Sequence, residues 1–194
     1  MLSEKERAIL LLLFKDFGTE YNARSISGKV GMTPRGALKA LKNLEEQDFV
    51  TSSTFGRAIR YKFNFASALA KKTLELFLLE DAELRHRRWL MEFRSLTEAH
   101  ILLLFGSAAR KEKGYNDIDL VVVVAENKYD RLVGKIKEKQ EIMVKRIHAV
   151  WQSPNDLRNN LRKRDAVMID AVKTGVVLKG QAELVEVVES VTGS

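Results

Sequence analysis

Residues 101–124 read ILLLFGSAARKEKGYNDIDLVVVV, and this stretch decides the fold of the second half of the chain. Ile101–Phe105 and Leu120–Ala125 are apolar runs of the length expected for buried strands. Gly106-Ser107 ends the first run, and nine residues separate Ser107 from Asp117. A glycine at this point lets the backbone approach a phosphate, and the serine can donate a hydrogen bond. The stretch therefore predicts an anion-binding turn between two strands.

Two acids lie at the mouth of the second strand. Asp117 and Asp119 are two residues apart, so their carboxylates point to the same side, whereas Ile118 and Leu120 point into the core. Paired carboxylates repel each other unless a cation lies between them, and Mg²⁺ is held by one or two carboxylates together with substrate phosphates. Alone, an Asp-x-Asp sequence often indicates only a turn and a cap, but beside Gly106-Ser107 it predicts a site for a divalent cation and a phosphate.

The Gly-Ser…Asp-x-Asp arrangement resembles the signature of the DNA polymerase beta-like nucleotidyltransferase superfamily, especially its minimal branch. The resemblance covers roughly residues 98–180. It implies that Gly106, Ser107 and Arg110 bind the nucleotide phosphates. It also implies that Asp117 and Asp119 are the catalytic residues and hold Mg²⁺, with ATP or another nucleoside triphosphate as substrate or ligand.

The superfamily also uses a third carboxylate from a later strand. The expected strand here is Ile147–Gln152, and no acid lies between Glu141 and Asp156. His148 lies on this strand, but imidazole is a poor ligand for Mg²⁺. Two interpretations stay open: an acid outside the strand replaces the missing one, or the site binds nucleotide without efficient turnover.

The first 66 residues predict three helices followed by a β-hairpin. Ser3 and Glu6 form a capping-box pattern before the first helix, which Gly18 is expected to end. The second helix is expected over Ala23–Val30, and Thr33 with Pro34 begins the third, which is expected to bury Ala37, Leu38, Leu41 and Leu44. Strands at 49–53 and 57–63 then flank a turn containing Gly56.

This order, and the phrase RSISGKVGMTPRGALKALKNLEEQDFV at 24–50, resemble the winged helix-turn-helix domains of prokaryotic transcription regulators. The resemblance implies binding of double-stranded DNA, with the third helix in the major groove. The DNA-binding residues it suggests are Arg35, Lys39, Lys42 and Asn43 on the helix and Arg57 and Arg60 on the wing. A winged helix that contacts only protein is the alternative.

The sequence thus predicts an α+β protein of two domains. Residues 1–66 form the winged helix, residues 67–98 a helical linker or dimerisation element, and residues 99–194 a small nucleotidyltransferase-type domain with a mixed sheet. The glycine-free 67–98 stretch predicts two helical pieces with a bend near Glu80–Asp81. A homodimer through these helices would suit a regulator that reads two half-sites.

Composition narrows the choice of function. The 194 residues contain 45% hydrophobic side chains and no cysteine, which excludes a mostly disordered chain, disulfides and thiolate metal sites. No apolar run approaches the roughly 20 residues that span a bilayer, so we expect a cytoplasmic protein without a secretory leader or a membrane partner. The net charge is +7, and residues 1–66 carry 11 basic and 7 acidic side chains, a weak indication of a DNA-binding module.

Two functions follow from these features. The first is transfer of a nucleoside monophosphate, AMP from ATP in the simplest case, to a hydroxyl of a protein, small molecule or RNA. The second is a DNA-binding regulator whose nucleotidyltransferase-type domain has little or no activity and senses nucleotide.

Overall fold

The computed structural model describes residues 2–56, 58–110 and 114–192. The chain divides into two compact units, Met1–Phe77 and Leu78–Ser194. The boundary lies inside the helical stretch between the two regions discussed above. Arg57, one of the DNA-contacting residues expected from the sequence, lies outside the described residues.

The first unit contains three helices followed by an antiparallel pair of strands. Their bounds are α1 (Glu4–Lys15), α2 (Ala23–Val30), α3 (Pro34–Glu46), β1 (Val50–Phe55) and β2 (Ala58–Phe63). The two strands pair from Val50↔Phe63 to Phe55↔Ala58. The three helices and the hairpin therefore occur in the order that the sequence predicts.

Local capping explains where these helices begin. The Ser3 hydroxyl accepts from the Glu6 N–H while the Glu6 carboxylate accepts from the Ser3 N–H, so the expected capping box is confirmed. Thr33 caps α3 with Pro34 at its first turn, as expected. Helix α1 ends at Lys15, earlier than expected from Gly18, because Asp16 leaves the helix and its carboxylate accepts from the buried Tyr21 hydroxyl at 2.6 Å.

The core of the first unit is formed by apolar side chains of all five elements. Ala37, Leu41 and Leu44 of α3 are fully buried. The expectation that Leu38 is buried with them is wrong, since 38% of its surface is exposed. The buried residues repeat at spacings of four and three, and Leu38 lies beside this stripe rather than within it.

A helical stretch leads from the first unit into the second. It consists of α4 (Ala68–Glu80), a π-helical turn (Asp81–Arg85) and α5 (Arg87–Phe93). The bend expected near Glu80–Asp81 is this π-helical turn. Trp89 and Phe93 of α5 are buried and their rings stack at 6.0 Å, so both belong to the core of the second unit.

A four-stranded mixed sheet forms the centre of the second unit. Its strands, in the order β5-β4-β3-β6, are β3 (Ile101–Phe105), β4 (Asp117–Val123), β5 (Arg146–Gln152) and β6 (Val176–Lys179). Strand β3 is antiparallel to β4 and β6, and β4 is parallel to β5. The remaining helices are α6 (Gly106–Ala109), α7 (Tyr129–Ile142), α8 (Pro154–Arg162), α9 (Ala166–Thr174) and α10 (Gln181–Thr192).

The sheet is covered on both faces, so its central strands are almost wholly buried. Every residue of β3 is buried, as are the five residues 120–124 that include the end of β4. Strand β4 begins at Asp117, three residues earlier than the apolar run suggested, so the two acids belong to the strand itself. In the described part of the chain, no helix has the length and apolar character needed to cross a bilayer.

Candidate functional site

The turn after β3 brings Gly106 against the carboxylate of Asp119. Phe105 at the end of β3 pairs with Asp119 of β4, so the strand end and the acid are neighbours in the sheet. Gly106 has a φ of +68°, a backbone conformation that favours glycine. A Cβ added at Gly106 would overlap Asp119 Oδ2. Glycine therefore gives the turn its shape and leaves the space that this carboxylate occupies.

The other two residues expected at the turn belong to the short helix α6 and its C-terminal end. Ser107 is half-buried and directly follows Gly106 in α6. Arg110 is the C-cap residue of α6 and is exposed. The next three residues, 111–113, are outside the described part of the chain. The Arg110 N–H donates to the Gly106 carbonyl at 3.2 Å, so the turn is closed by its own backbone.

The two acids lie on one face at the start of β4. Asp117 is exposed and Asp119 is half-buried, whereas Ile118 and Leu120 are fully buried on the opposite face. This alternation is the one expected from the sequence. The Asp119 carboxylate contacts Gly106 directly. Asp117 lies two residues earlier on the same face of β4 and is more exposed to solvent.

The parallel strand β5 adds two residues that the sequence argument left out or set aside. Arg146 is in register with Asp117, and His148 is in register with Asp119. His148 Nδ1 lies 3.3 Å from Asp119 Oδ1. Local sequence does not identify this pairing, because the register between two strands joined by a long crossover is not a local property. Strand alternation does place Arg146 and His148 on one face.

The donor set fits a divalent cation that is shared with a phosphate ligand. Asp117 and Asp119 provide hard oxygen donors at a site open to solvent, which is how proteins hold Mg²⁺ beside substrate phosphates. Because Gly106 has no side chain, Asp119 Oδ2 lies directly against the turn that is expected to receive the phosphates. Among residues 2–56, 58–110 and 114–192, no three acidic or histidine side chains already converge on one ion position. A complete ligand shell therefore requires movement of a side chain or oxygens from the nucleotide.

A buried histidine, His86, contacts the end of the short helix α6 that follows the turn. His86 follows the π-helical turn, and its ring lies between two backbone carbonyls: Nδ1 is 3.2 Å from the Asp81 oxygen and Nε2 is 3.1 Å from the Ala109 oxygen. It is only 8% exposed. The ring thus connects the π-helical turn to the end of α6. Sequence reasoning missed this contact, since nothing local to His86 indicates that α6 lies beside it.

The expected DNA-contacting residues of the first unit occupy different environments. Arg35, Lys39 and Lys42 are exposed on α3. The Asn43 amide donates to Glu6 Oε1 and so connects α3 to α1. Burial raises the pKa of Glu6, but hydrogen bonds from the Ser3 N–H and from Asn43 outweigh burial and leave this pKa below its usual value. Glu6 is therefore a charged acceptor for Asn43 at neutral pH.

Arg60 of β2 is held by neighbours on the hairpin side of the unit. It forms an ion pair with Glu20, and its guanidinium lies 3.9 Å from the centre of the Phe55 ring. Phe55 itself is 66% exposed. The hairpin therefore presents an aromatic ring and a guanidinium together at its tip.

Comparison with known proteins supports one part of this picture. Residues 90–174 match the model of the family described as "Nucleotidyltransferase domain". The match includes β3, the turn at Gly106, both acids of β4 and the whole of β5. No curated protein matches the chain significantly.

Structures of ZitR from Lactococcus lactis are among the solved structures that match. A double mutant is 18% identical over 73% of this chain and 75% of that chain, with a TM-score of 0.34. A mutant in complex with DNA is 17% identical over 74% of this chain and 77% of that chain, also with a TM-score of 0.34. This similarity is too low to support an argument about either unit. What the comparisons show is that the chain contains a nucleotidyltransferase domain at residues 90–174.

Proposed function

We propose that this protein transfers a nucleoside monophosphate, AMP from ATP in the simplest case, to a hydroxyl acceptor, and that its first 66 residues bind DNA. The observation that carries the first part is the contact between the Gly106 turn and Asp119, with Asp117 on the same face of β4. A turn without a side chain beside two acids offers one place for phosphate and one for a divalent cation. The family match over residues 90–174 supports the same chemistry.

The residues have distinct roles in this proposal. Gly106 and Ser107 receive the phosphate groups, Arg110 contacts the triphosphate, and Asp117 and Asp119 hold the cation. A bound Mg²⁺ would neutralise charge that develops on the phosphate oxygens. The acceptor hydroxyl gives up its proton to solvent as its oxygen forms a bond to the α-phosphorus. The bond from that phosphorus to the bridging oxygen breaks, and pyrophosphate leaves. The chain's contribution is to hold these groups in line and close together.

Transfer is tested with ATP labelled at the α-phosphate, in the presence of Mg²⁺ or Mn²⁺ and candidate hydroxyl acceptors that include the protein itself. The acidic pair is removed in the double variant Asp117→Asn, Asp119→Asn. Asp170→Asn is the control, because Asp170 is an exposed acid on α9, outside the acidic pair but in the same unit. Label transfer that occurs in the wild type and the control but not in the double variant supports the proposal. Equal transfer by all three would contradict it.

A nucleotide-sensing regulator is the second candidate, and one observation favours it. Strand β5 faces the acids with Arg146 and His148 and has no carboxylate of its own. A site without a third acid would bind nucleotide yet lack a carboxylate that activates the acceptor hydroxyl. Under this function, labelled ATP binds in a manner that depends on Asp117 and Asp119, no pyrophosphate is released, and the affinity for DNA changes when ATP is added.

DNA binding is proposed for a winged helix formed by the first unit, with α3 in the major groove. Arg35, Lys39 and Lys42 support this assignment because all three are exposed on α3. Arg60 lies on the hairpin, the position of a wing, beside the exposed ring of Phe55. Arg60 and Asn43 are the weaker members of the set, since Arg60 is already paired with Glu20 and the Asn43 amide nitrogen is already engaged by Glu6.

A homodimer through α4 belongs to the same proposal. Leu69 and Leu76 of this helix, both in the first unit, are 64% and 50% exposed. They are seven residues apart, so they lie on one face of the helix. Sedimentation of the wild type against Leu76→Glu tests the dimer: the wild type should sediment as a dimer and the variant as a monomer.

A further inference from the structure

The pairing of His148 with Asp119 extends the candidate metal site onto a second strand. The two residues are in register on the parallel strands β4 and β5, and the atoms that face each other are His148 Nδ1 and Asp119 Oδ1. The His148 side chain is 65% exposed and that of Asp119 is 25% exposed. A partly open imidazole therefore lies directly beside the less exposed of the two acids.

The separation of these two atoms suits two ligands of one ion. Neighbouring donors around an octahedral ion with bonds of about 2.1 Å are about 3.0 Å apart. Nδ1 and Oδ1 are 3.3 Å apart. A small rotation of either side chain allows both atoms to face the same cation. The same separation also fits a simple hydrogen bond, so the experiment must detect the metal–nitrogen bond itself.

The third donor is already on the same face. Asp117 precedes Asp119 by two residues, and its exposed side chain can rotate toward the ion. The residue opposite Asp117 on β5 is Arg146, a cation that cannot act as a ligand. His148 is therefore the donor that β5 offers, and the resulting set is two carboxylates and one imidazole.

We propose that His148 is a protein ligand of the active-site cation, so that this site selects a first-row transition ion such as Mn²⁺ over Mg²⁺. Imidazole nitrogen is a good donor to transition ions, whereas Mg²⁺ strongly prefers oxygen. Replacing an acid with imidazole also removes one negative charge from the ligand set. The inference rests on the proposed function, since it assumes that a cation binds at Asp117 and Asp119.

The test measures Mn²⁺ bound to the full chain by pulsed electron paramagnetic resonance, with α,β-methylene-ATP present so that turnover does not interfere. A histidine nitrogen bonded to Mn²⁺ gives a nitrogen modulation that a second-shell residue does not give. We expect this modulation in the wild type, its loss in His148→Asp, and its retention in the control His100→Gln. His100 lies just before β3, outside the candidate site.

Metal preference provides the second measurement. Mg²⁺ is titrated against bound Mn²⁺, and the Mg²⁺ concentration that displaces half of it should fall about tenfold in His148→Asp. Circular dichroism should show that His148→Asp remains folded, because the replaced side chain is largely exposed.

The possible results separate this inference from the proposed function. Mn²⁺ that binds through Asp117 and Asp119 without a nitrogen modulation would overturn the role of His148 and leave the transferase proposal intact. Absence of Mn²⁺ binding would overturn the role of His148, and absence of binding of both Mn²⁺ and Mg²⁺ would overturn the transferase proposal as well. A nitrogen modulation that depends on His148, with no nucleotidyl transfer, would support the ligand assignment and contradict the transferase.

Discussion

The carboxylate of Asp119 occupies the space that a Cβ at Gly106 would need. This relationship joins the end of β3 to the start of β4, because Asp119 pairs with Phe105, the residue before Gly106. Glycine is required at position 106 for two reasons. A φ of +68° disfavours residues with a side chain, and the Asp119 carboxylate already fills the space that a side chain would enter.

Substituting Gly106→Ala should displace Asp119 and lower nucleotidyl transfer by about 100-fold, as expected for a shift of about 1 Å at a reacting site. The backbone strain alone should cost about 1–2 kcal/mol of unfolding free energy. Gly56→Ala is the matched control, since Gly56 has a φ of +60° and a Cβ added there would meet no atom within 4 Å. Chemical denaturation and transfer assays are compared. A Gly106→Ala variant that loses stability but keeps full activity would contradict the importance of the contact.

Acid stability of the second unit should depend on Glu98. The hydrogen bond from Lys135 lowers the pKa of Glu98 to about 2, against a usual value of 4.5. Arg131 also forms an ion pair with Glu98, at 3.0 Å. Because the folded pKa is the lower one, the stabilisation is present above pH 4.5 and is lost as the pH falls toward 2.

The variant Glu98→Gln should therefore unfold at a midpoint that depends less on pH between 4.5 and 2 than the wild-type midpoint does. Thermal unfolding followed at several pH values in this window measures the difference. Glu138→Gln, an exposed acid on α7, serves as the control and should behave like the wild type. Parallel pH profiles for wild type and Glu98→Gln would show that the ion pair is unimportant.

The buried hydroxyl of Tyr21 should control alkaline stability of the first unit. Burial, with the hydrogen bond to Asp16, raises the pKa of Tyr21 to about 12 from its usual 10. A raised tyrosine pKa means that the stabilisation is complete below pH 10 and declines between pH 10 and 12. Tyr21→Phe should lower the unfolding free energy at pH 7 by about 1–3 kcal/mol, because it removes a hydrogen bond to a charged group.

Denaturant unfolding of wild type and Tyr21→Phe at pH 7 and at several values between 10 and 12 provides the measurement. The difference in free energy between the two proteins should shrink as the pH rises through this range. Tyr129→Phe is the control, because Tyr129 is 39% exposed and belongs to the second unit. A difference that stays constant to pH 12 would contradict the assignment.

DNA binding should weaken when the exposed lysines of α3 are removed. The double variant Lys39→Ala, Lys42→Ala should reduce the slope of log affinity against log salt by about 1.8, since each lost phosphate contact contributes about 0.9. Fluorescence anisotropy with duplex DNA at several salt concentrations measures the slope. The control is Lys137→Ala, Lys163→Ala, which removes two exposed lysines from the second unit. Equal slopes for both double variants would indicate that α3 does not contact DNA.

Local signals in the sequence predicted much of the first unit. The capping box of Ser3 with Glu6 and the Thr33-Pro34 start of α3 involve residues three or fewer apart, so both can be found without knowing the fold. The end of α1 was missed because Asp16 is held by Tyr21, five residues further on. The exposure of Leu38 depends on how the three helices pack together. Helical periodicity locates the edge of the buried face of α3 only to within one residue position.

The sequence predicted the part of the candidate site that is local along the chain and missed the contacts between distant residues. Gly106, Asp117 and Asp119 stand in one motif of the sequence, and alternation along β4 correctly placed both acids opposite the core. The contact between Asp119 and His148 depends on the register of β4 with β5, and the residues that pair are 29 positions apart. The support of α6 by His86 depends on the π-helical turn, an irregularity that periodicity does not predict.

Both candidate functions require that nucleotide and cation bind together at Asp117 and Asp119, and calorimetric titration with ATP tests this claim most directly. We predict that ATP binds the wild type and Asp170→Asn in the presence of Mn²⁺ or Mg²⁺, and that Asp117→Asn, Asp119→Asn weakens the affinity at least about tenfold. Equal affinity in the folded double variant, or the absence of binding by the wild type with either cation, would contradict the account.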